Sequence, residues 1–452
     1  MDLVIKNGIV VGPLSAYPAE IGVAGGRIVE LAEKLEAGSA RVLDARGGFV
    51  LPGLVDLHTH FGAGGTDDFG SGTREALAGG VTTVVDCAMQ APGQTLTAAL
   101  EARRVLAASQ SYADYTFHLT VTEWNEATRR EVRELVGSGH PSFEFHQTGG
   151  CLLDLPALDD AALFELLQET AKLGATVVLR PGNRAASAVL ASQLGRDVPL
   201  GFEKLGDVFT AALEAEGIRR ALALADATDA NLLVGPLSSR EAVAALSWGR
   251  ASGVNAAGET SPHYLLPHFA AGAGVLGTCR PPVRTEEDAL ALWHAAATGD
   301  VEVIASGHRA PSRQLKTAVS DATRLEAGFP SIAWTLPLLF SEGFRQSHVT
   351  LTRLVQLLST NPAMLLGMFP AKGILQVGSD ADLVVLDPEK ECAVSLAANR
   401  AGWDHTPYEG HVLRGTPVAT VLGGAVVFAE GELTGKPGQG KLVHRHPLEE
   451  VY

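Results

Sequence analysis

The sequence predicts an α/β protein: a (β/α)8 barrel joined to a small β-sandwich that both chain ends build together. Three observations lead there. Through the middle of the chain, short apolar runs alternate with helical stretches rich in Ala, Leu and Glu, the pattern of βα units around a parallel sheet. The runs number eight, as a closed barrel requires. Both ends of the chain instead read as short strands punctuated by glycine, a style that suits an antiparallel sheet.

In chain order, residues 1–50 form the first part of the sandwich, through "LVIKNGIVV", "EIGVAGGRIVELA" and "ARVLDARGGFVLPG". The barrel covers 51–373, with strands predicted at 53–60, 81–88, 115–121, 142–146, 175–180, 231–236, 254–259 and 302–307. Helices between them include "DAALFELLQETAKLG" (160–174) and "DVFTAALEAEGIRRALALADA" (207–227). Residues 374–440 complete the sandwich with "GILQVGSDADLVVLDP" and "GTPVATVLGGAVVFAEGEL". The tail, 441–452 in "GKLVHRHPLEEVY", reads either as an arm onto another subunit or as a solvated terminus. No further repeat and no low-complexity segment interrupts this plan.

Composition narrows the function classes. With 452 residues, 46% hydrophobic and 19% charged, the chain has ample apolar surface for a large core. A net charge of −16 argues against nucleic acid or an anionic membrane as partner, since both favour a basic surface. Four cysteines (Cys87, Cys151, Cys279 and Cys392), with no CxxC, suit a reducing compartment better than a disulfide framework. No apolar run approaches the ~20 residues that cross a bilayer, and "MDLVIKNGIV" lacks the form of a signal peptide. A cytoplasmic protein is expected.

The chemistry begins at "VDLHTHF" (55–61). Residues two apart on a strand share a face, so His58 and His60 point the same way and can close on one metal ion. Asp56 lies on that face as well, placed to bond an imidazole. Other familiar sites are missing. "GAGG" (62–65) lacks the spacing of a dinucleotide fingerprint, and no P-loop or Gly-x-Ser-x-Gly elbow occurs.

Six passages, in order and spread over nearly the whole chain, carry a resemblance. They are "VLPGLVDLHTHF" (50–61), "GTDDFGSGTREALAGGVTTVVD" (65–86), "ETSPHYL" (259–265), "RPPVRTEEDALALW" (280–293), "STNPAMLLGMFPAKGILQVGSDADLVVLDP" (359–388) and "DHTPYEGHVLRGTPV" (404–418). Together they resemble the cyclic-amide branch of the amidohydrolase superfamily, the dihydropyrimidinases and hydantoinases. The resemblance implies the barrel and sandwich, assembly as a dimer or tetramer, and hydrolysis of a ring amide by two metal ions. In such enzymes the ions are held by the strand-one histidine pair, a carboxylated bridging lysine, two more histidines and an aspartate that also moves the proton.

Carried onto this sequence, most of that set is replaced. His58 and His60 remain. Glu144, in "SFEFH", stands where the lysine is expected, and Gly149 where an oxyanion-binding tyrosine is. Arg180 takes the place of one histidine and Pro236 that of the other; arginine is a donor only and cannot ligate a metal. In "SGHRAP", Gly307 holds the aspartate's place beside His308. Arg280 and Ala327 replace substrate-gripping residues, and Arg309 follows His308. His140, His146, His263 and His268 read as hydrogen-bonded histidines.

Three readings follow. The arginines repair a chamber that no longer holds metal, leaving an inactive or regulatory paralogue that pairs with itself or with an active homologue. Alternatively Arg180, Arg280 and Arg309 bind a small anionic ligand, and Glu144 or His308 serves as acid or base without metal. In the third, one zinc-like ion remains on His58, His60 and Glu144, with water completing its shell and His308 moving protons.

Overall fold

The computed structural model describes residues 1–149, 158–195, 200–321 and 324–448. The chain opens with β1 (Leu3–Val11), β2 (Ala16–Ala24), β3 (Arg27–Ala32), β4 (Arg41–Asp44) and β5 (Phe49–Pro52). Eight parallel strands follow: β6 (Leu54–Thr59), β7 (Val81–Met89), β8 (Asp114–Thr120), β9 (Ser142–His146), β10 (Thr176–Arg180), β11 (Asn231–Val234), β12 (Ala256–Thr260) and β13 (Val303–Ile304). The chain returns in β14 (Leu383–Ala393), β15 (Val412–Leu422), β16 (Ala425–Ala429) and β17 (Glu432–Leu433).

Each barrel strand lies where the sequence places one. They are rich in Val and Leu and buried on both faces, as parallel strands sandwiched between a filled interior and an outer ring of helices must be. The ring closes where Thr59 bridges His308: His60 N donates to His308 O (2.9 Å), and His308 N donates to His58 O (3.2 Å). Regular pairing in β13 stops at Ile304, short of the expected 307, because Gly307 turns the backbone through φ +61°. The helix expected from 207 begins at Ala211 instead. Thr210 caps it by accepting from Leu213 N (3.2 Å), and Leu205–Val208 forms a separate turn.

The strands from the two chain ends form one nine-stranded sheet in the order β17-β16-β15-β14-β5-β1-β2-β3, with β4 also paired to β1. β5 and β14 pair antiparallel, Val50 opposite Val385, which stitches the chain's two ends together. Its apolar side encloses Ile5, Ile21, Val50, Leu383 and Val421. Lys372, nearly buried between Asp114 at the start of β8 and Asp382 just before β14, links this sheet to the barrel. Among the described residues, no helix is long and apolar enough to cross a membrane.

The tail differs from both sequence readings within this chain. Residues 441–448 run along the floor of their own barrel: Tyr115 N donates to Lys441 O (2.9 Å), Val443 N to Tyr115 O (2.8 Å), and Leu448 N to Gly174 O (2.8 Å). Arg445 is 1% exposed and plugs the barrel's lower end, donating to Ser142 Oγ (2.8 Å) and Phe117 O (2.6 Å). Removing it deletes two buried hydrogen bonds, one to Phe117 O and one to a Ser142 hydroxyl that keeps only its contact with His118. Arg445→Ala is therefore expected to cost about 1–3 kcal/mol and to expose the tail to limited proteolysis; a tail as protease-resistant as wild type would count against the plug.

Ser142 passes the contact upward. Its hydroxyl meets His118 Nδ1 (2.7 Å), while His118 Nε2 donates to Leu57 O (3.1 Å). Burial, reinforced by Arg445, lowers His118 to about 3, so the folded protein keeps it neutral. Unfolded, it titrates near ~6.5, and between those values the unfolded chain holds a proton that the folded chain lacks. Stability should fall as pH drops through this window, by about 1.4 kcal/mol per pH unit for this group. His118→Gln should flatten that slope in urea unfolding across the acid range; an unaltered slope would remove His118 from the account.

Candidate functional site

The C-terminal ends of β6, β9, β10 and β12 bring six ionisable side chains, His58, His60, Glu144, His146, Arg180 and Glu259, into one chamber, to which β8 adds Thr120. On β9, alternation puts Ser142, Glu144 and His146 on the interior face, with Glu144 and His146 at the mouth. Glu144 is wholly buried. Its Oε1 accepts from Arg180 Nε (2.7 Å), its Oε2 accepts from Thr120 Oγ1 (2.6 Å), and His146 Nε2 stands 3.1 Å from Oε2.

Arg180, the last residue of β10, has a second carboxylate on its other side. Its Nη1 donates to Glu259 Oε2 (2.9 Å) and to Gly235 O (3.1 Å). Glu259, on β12, bonds His58 Nδ1 through its other oxygen. His58 Nε2 and His60 Nε2 then face each other at 3.2 Å. The result is a continuous chain, Glu144–Arg180–Glu259–His58–His60, buried as far as His58 and partly exposed at His60.

Electrostatics follow from that order. Burial would raise both acids, yet His146 and Arg180 hold Glu144 well below the usual carboxylate range, and Arg180 with His58 brings Glu259 down to about 2. Burial alone would lower Arg180, but Glu259 and Glu144 keep it above its ordinary value. His60 is lowered, first by burial and then by His58. Two buried carboxylates and one guanidinium thus stay ionised beneath the cleft.

The remaining sequence-selected residues lie apart from this chain. His308 is fully buried and its nitrogens face away from the chamber: Nδ1 accepts from Ser331 N (3.1 Å), so Nε2 carries the proton and donates to Asp67 Oδ2 (2.8 Å). Its ring packs beside Phe61 and Trp403. The acid–base and proton-moving role expected of His308 needs a free nitrogen at the chamber, which this placement does not supply. Arg309 is held by Ala63 O (3.1 Å), Ala327 O (2.5 Å) and Glu326, which engages most of the donors expected to grip a ligand. Arg280 lies over the Phe209 ring at 4.9 Å, on the wall of a cleft above the chamber.

That cleft has a volume of about 800 Å³ including its open mouth, and His58, His60, His146, Arg180 and Arg284 contribute to its lining. Its back wall is braced. Gln147 accepts from Gly182 N (2.9 Å) and donates to Gly217 O (3.1 Å). Gly217 permits this, since a Cβ there would stand 2.5 Å from Gly182 N.

Sequence reasoning missed Glu259, the carboxylate that joins Arg180 to His58, although it opens the quoted "ETSPHYL". Its signal was a charged residue near the C-terminal end of an otherwise apolar barrel strand, where function concentrates. His146, read as a hydrogen-bonded histidine, has its Nε2 3.1 Å from Glu144 Oε2.

Comparison with known proteins fits this architecture. The model of the amidohydrolase family matches residues 326–427. The D-hydantoinase of Rhizobium radiobacter is 32% identical over 476 aligned positions, covering 100% of both chains. That of Geobacillus stearothermophilus is 32% identical over 98% of this chain and 97% of its own. Among solved structures, dihydropyrimidinase from Brevibacillus agri NCHU1002 superposes with a TM-score of 0.95 at 31% identity, covering 100% of both chains. A closed parallel barrel with a polar strand-end chamber and an attached β-domain is the amidohydrolase architecture. Within it, this chain belongs to the hydantoinase and dihydropyrimidinase family.

Proposed function

We propose that this chain is a hydantoinase-family protein that does not hydrolyse cyclic amides through a two-ion centre, and that it acts as an inactive, regulatory paralogue. The position of Arg180 carries the reading. Its guanidinium lies between Glu144 and Glu259 and brings the two buried acids the positive charge that bound cations would otherwise bring. Being a donor only, it supplies no lone pair for an ion.

The donor set does not fit a bridged pair of ions. Both oxygens of Glu144 are engaged, and Pro236 has no side-chain donor atom. Gly307 has φ +61°, and a Cβ there would lie 3.0 Å from Ser261 Oγ, so an aspartate in its place would be strained and crowded.

One observation favours a second reading, a single ion. The Nε2 atoms of His58 and His60 converge at 3.2 Å, and Glu259 orients His58 through Nδ1 as a carboxylate orients a metal-binding imidazole. Metal analysis of protein purified without chelators separates the two. The expected result is less than stoichiometric metal and no hydrolysis of hydantoin or dihydrouracil above buffer. One equivalent of zinc, lost on His58→Ala, would establish the second reading, and metal-dependent turnover would overturn the first.

The same reading extends to assembly. A dimer or tetramer, of this chain alone or with a homologue that keeps the full ligand set, is expected by light scattering; a monomer at micromolar concentration would remove a regulatory role through pairing.

A further inference from the structure

We infer that the cleft above the Arg180 cluster is a binding site for a small organic carboxylate whose apolar part rests against Met89, Phe209 and Leu213. This rests on the reading that the chamber below has exchanged metal for guanidinium, and it names the ligand that such a chamber takes.

Two helices direct their N-termini at the cleft. Asn183 and Ser187, from the start of the 11-residue helix Arg184–Leu194, line it, as do Thr210 and Leu213, from the start of the 16-residue helix Ala211–Asp226. Thr210 and Asn183 already cap Leu213 N and Ala186 N, but each helix start still carries the positive end of its dipole, so such a convergence favours an anion.

An independent observation points to the same place. The Arg180 side chain is 8% exposed and lines the cleft, yet its buried Nη2 has no hydrogen-bond partner among the described residues. Its Nε and Nη1 are spent on Glu144, Glu259 and Gly235. A buried guanidinium N–H without an acceptor is costly, and a carboxylate oxygen meets that need with a charge-assisted bond.

The charges on the cleft wall agree. Among the described residues, Arg180, Arg280 and Arg284 line it with Glu214 as the one acid, and Glu214 is already bonded by Ser238 N (2.8 Å) and Arg284 (3.3 Å). Glu144 and Glu259 sit behind Arg180 and do not line the cleft. Because Gln147 fixes Gly182 and the helix start beside it, the donors are preorganised and little ordering is required on binding. Met89, Phe209 and Leu213 complete a wall that is mostly apolar, the usual make-up of a small-molecule site with a few convergent polar groups.

Calorimetric titration with 3-phenylpropanoate and its neutral amide, 3-phenylpropanamide, tests this, on protein of measured metal content before and after EDTA. The acid is expected to bind at least tenfold more tightly than the amide, with an affinity that EDTA leaves unchanged. Ser187→Asp, which adds a negative charge to the cleft, should weaken the acid at least tenfold and spare the amide. If that variant does not fold, Arg180→Lys makes the same comparison, since lysine keeps a charge between the two acids but has no second nitrogen to offer. Equal affinity for acid and amide in metal-free protein, or no binding of either, would overturn this inference alone. Binding of the acid that disappears with EDTA would put the carboxylate on a metal ion and overturn the underlying reading as well.

Discussion

Lys372→Ala is expected to destabilise the protein by about 3–5 kcal/mol, the usual cost of removing one partner from a buried ion cluster. Lys372 is 5% exposed. Its Nζ lies 2.6 Å from Asp114 Oδ2 and 3.2 Å from Asp380 Oδ2, and it also bonds Asp382. Burial would lower the lysine, but the surrounding acids, Asp382 first, hold it above its ordinary value. Take it away and Asp114 and Asp382 lose the cation they share, while Asp380 keeps only Arg27, at 3.5 Å. Because Asp114 belongs to the barrel and Asp382 leads into the nine-stranded sheet, the loss falls on the junction between the two. Urea unfolding should show a lower midpoint, with Lys372→Arg losing less. A Lys372→Ala protein within about 1 kcal/mol of wild type would mean that apolar contacts alone hold this junction.

The second large effect is expected at Glu144. Glu144→Lys removes one of the two carboxylates that flank Arg180 and sets a like charge beside it, a loss of about 3 kcal/mol or more. Arg180→His costs a similar amount for the opposite reason, since Glu144 and Glu259 then lack their shared guanidinium. The double variant brings back the residue types that the family resemblance implies. It should be more stable than the sum of the two single losses by at least about 1 kcal/mol, which is the coupling between the positions. Simple additivity would show that residues 144 and 180 do not stabilise one another and would remove the charge-replacement account.

How much of the site was legible in the sequence varies from residue to residue. Arg180 and Glu144 were found because each interrupts a motif at a strand end, where period-two alternation gives its direction. Their mutual contact was a reasonable expectation, as β9 and β10 are neighbours and Arg180 pairs in register with His146, two residues beyond Glu144. Glu259 could not be joined to them in the same way. It lies two strands from Arg180 around the barrel, and the reach of an arginine across that gap depends on the barrel's curvature. His308 failed for a related reason. Its position beside Gly307 suggested the chamber, but the φ of +61° at Gly307 sends the backbone on a path where His308 meets Asp67 and Ser331.

The tail gives the same contrast at lower resolution. "GKLVHRHPLEEVY" has no periodicity that names a partner, so its docking could not be read locally. Only the assembled barrel floor, with Ser142 Oγ and Phe117 O facing Arg445, makes a buried place for its guanidinium.

By itself, the sequence determined the family, the eight barrel strands and the sheet made from both chain ends, and it singled out Glu144, Arg180, Pro236 and Gly307 as departures from the motifs that the resemblance implies. These are local properties of pattern and motif, and each survives being read a few residues at a time. Tertiary structure alone decided which of those residues meet. Closing the barrel set Arg180 between two acids that are far apart in sequence, turned His308 away, and brought two helix N-termini to one cleft. Side-chain partners across a barrel are chosen by curvature and register, and those come from packing all eight strands together.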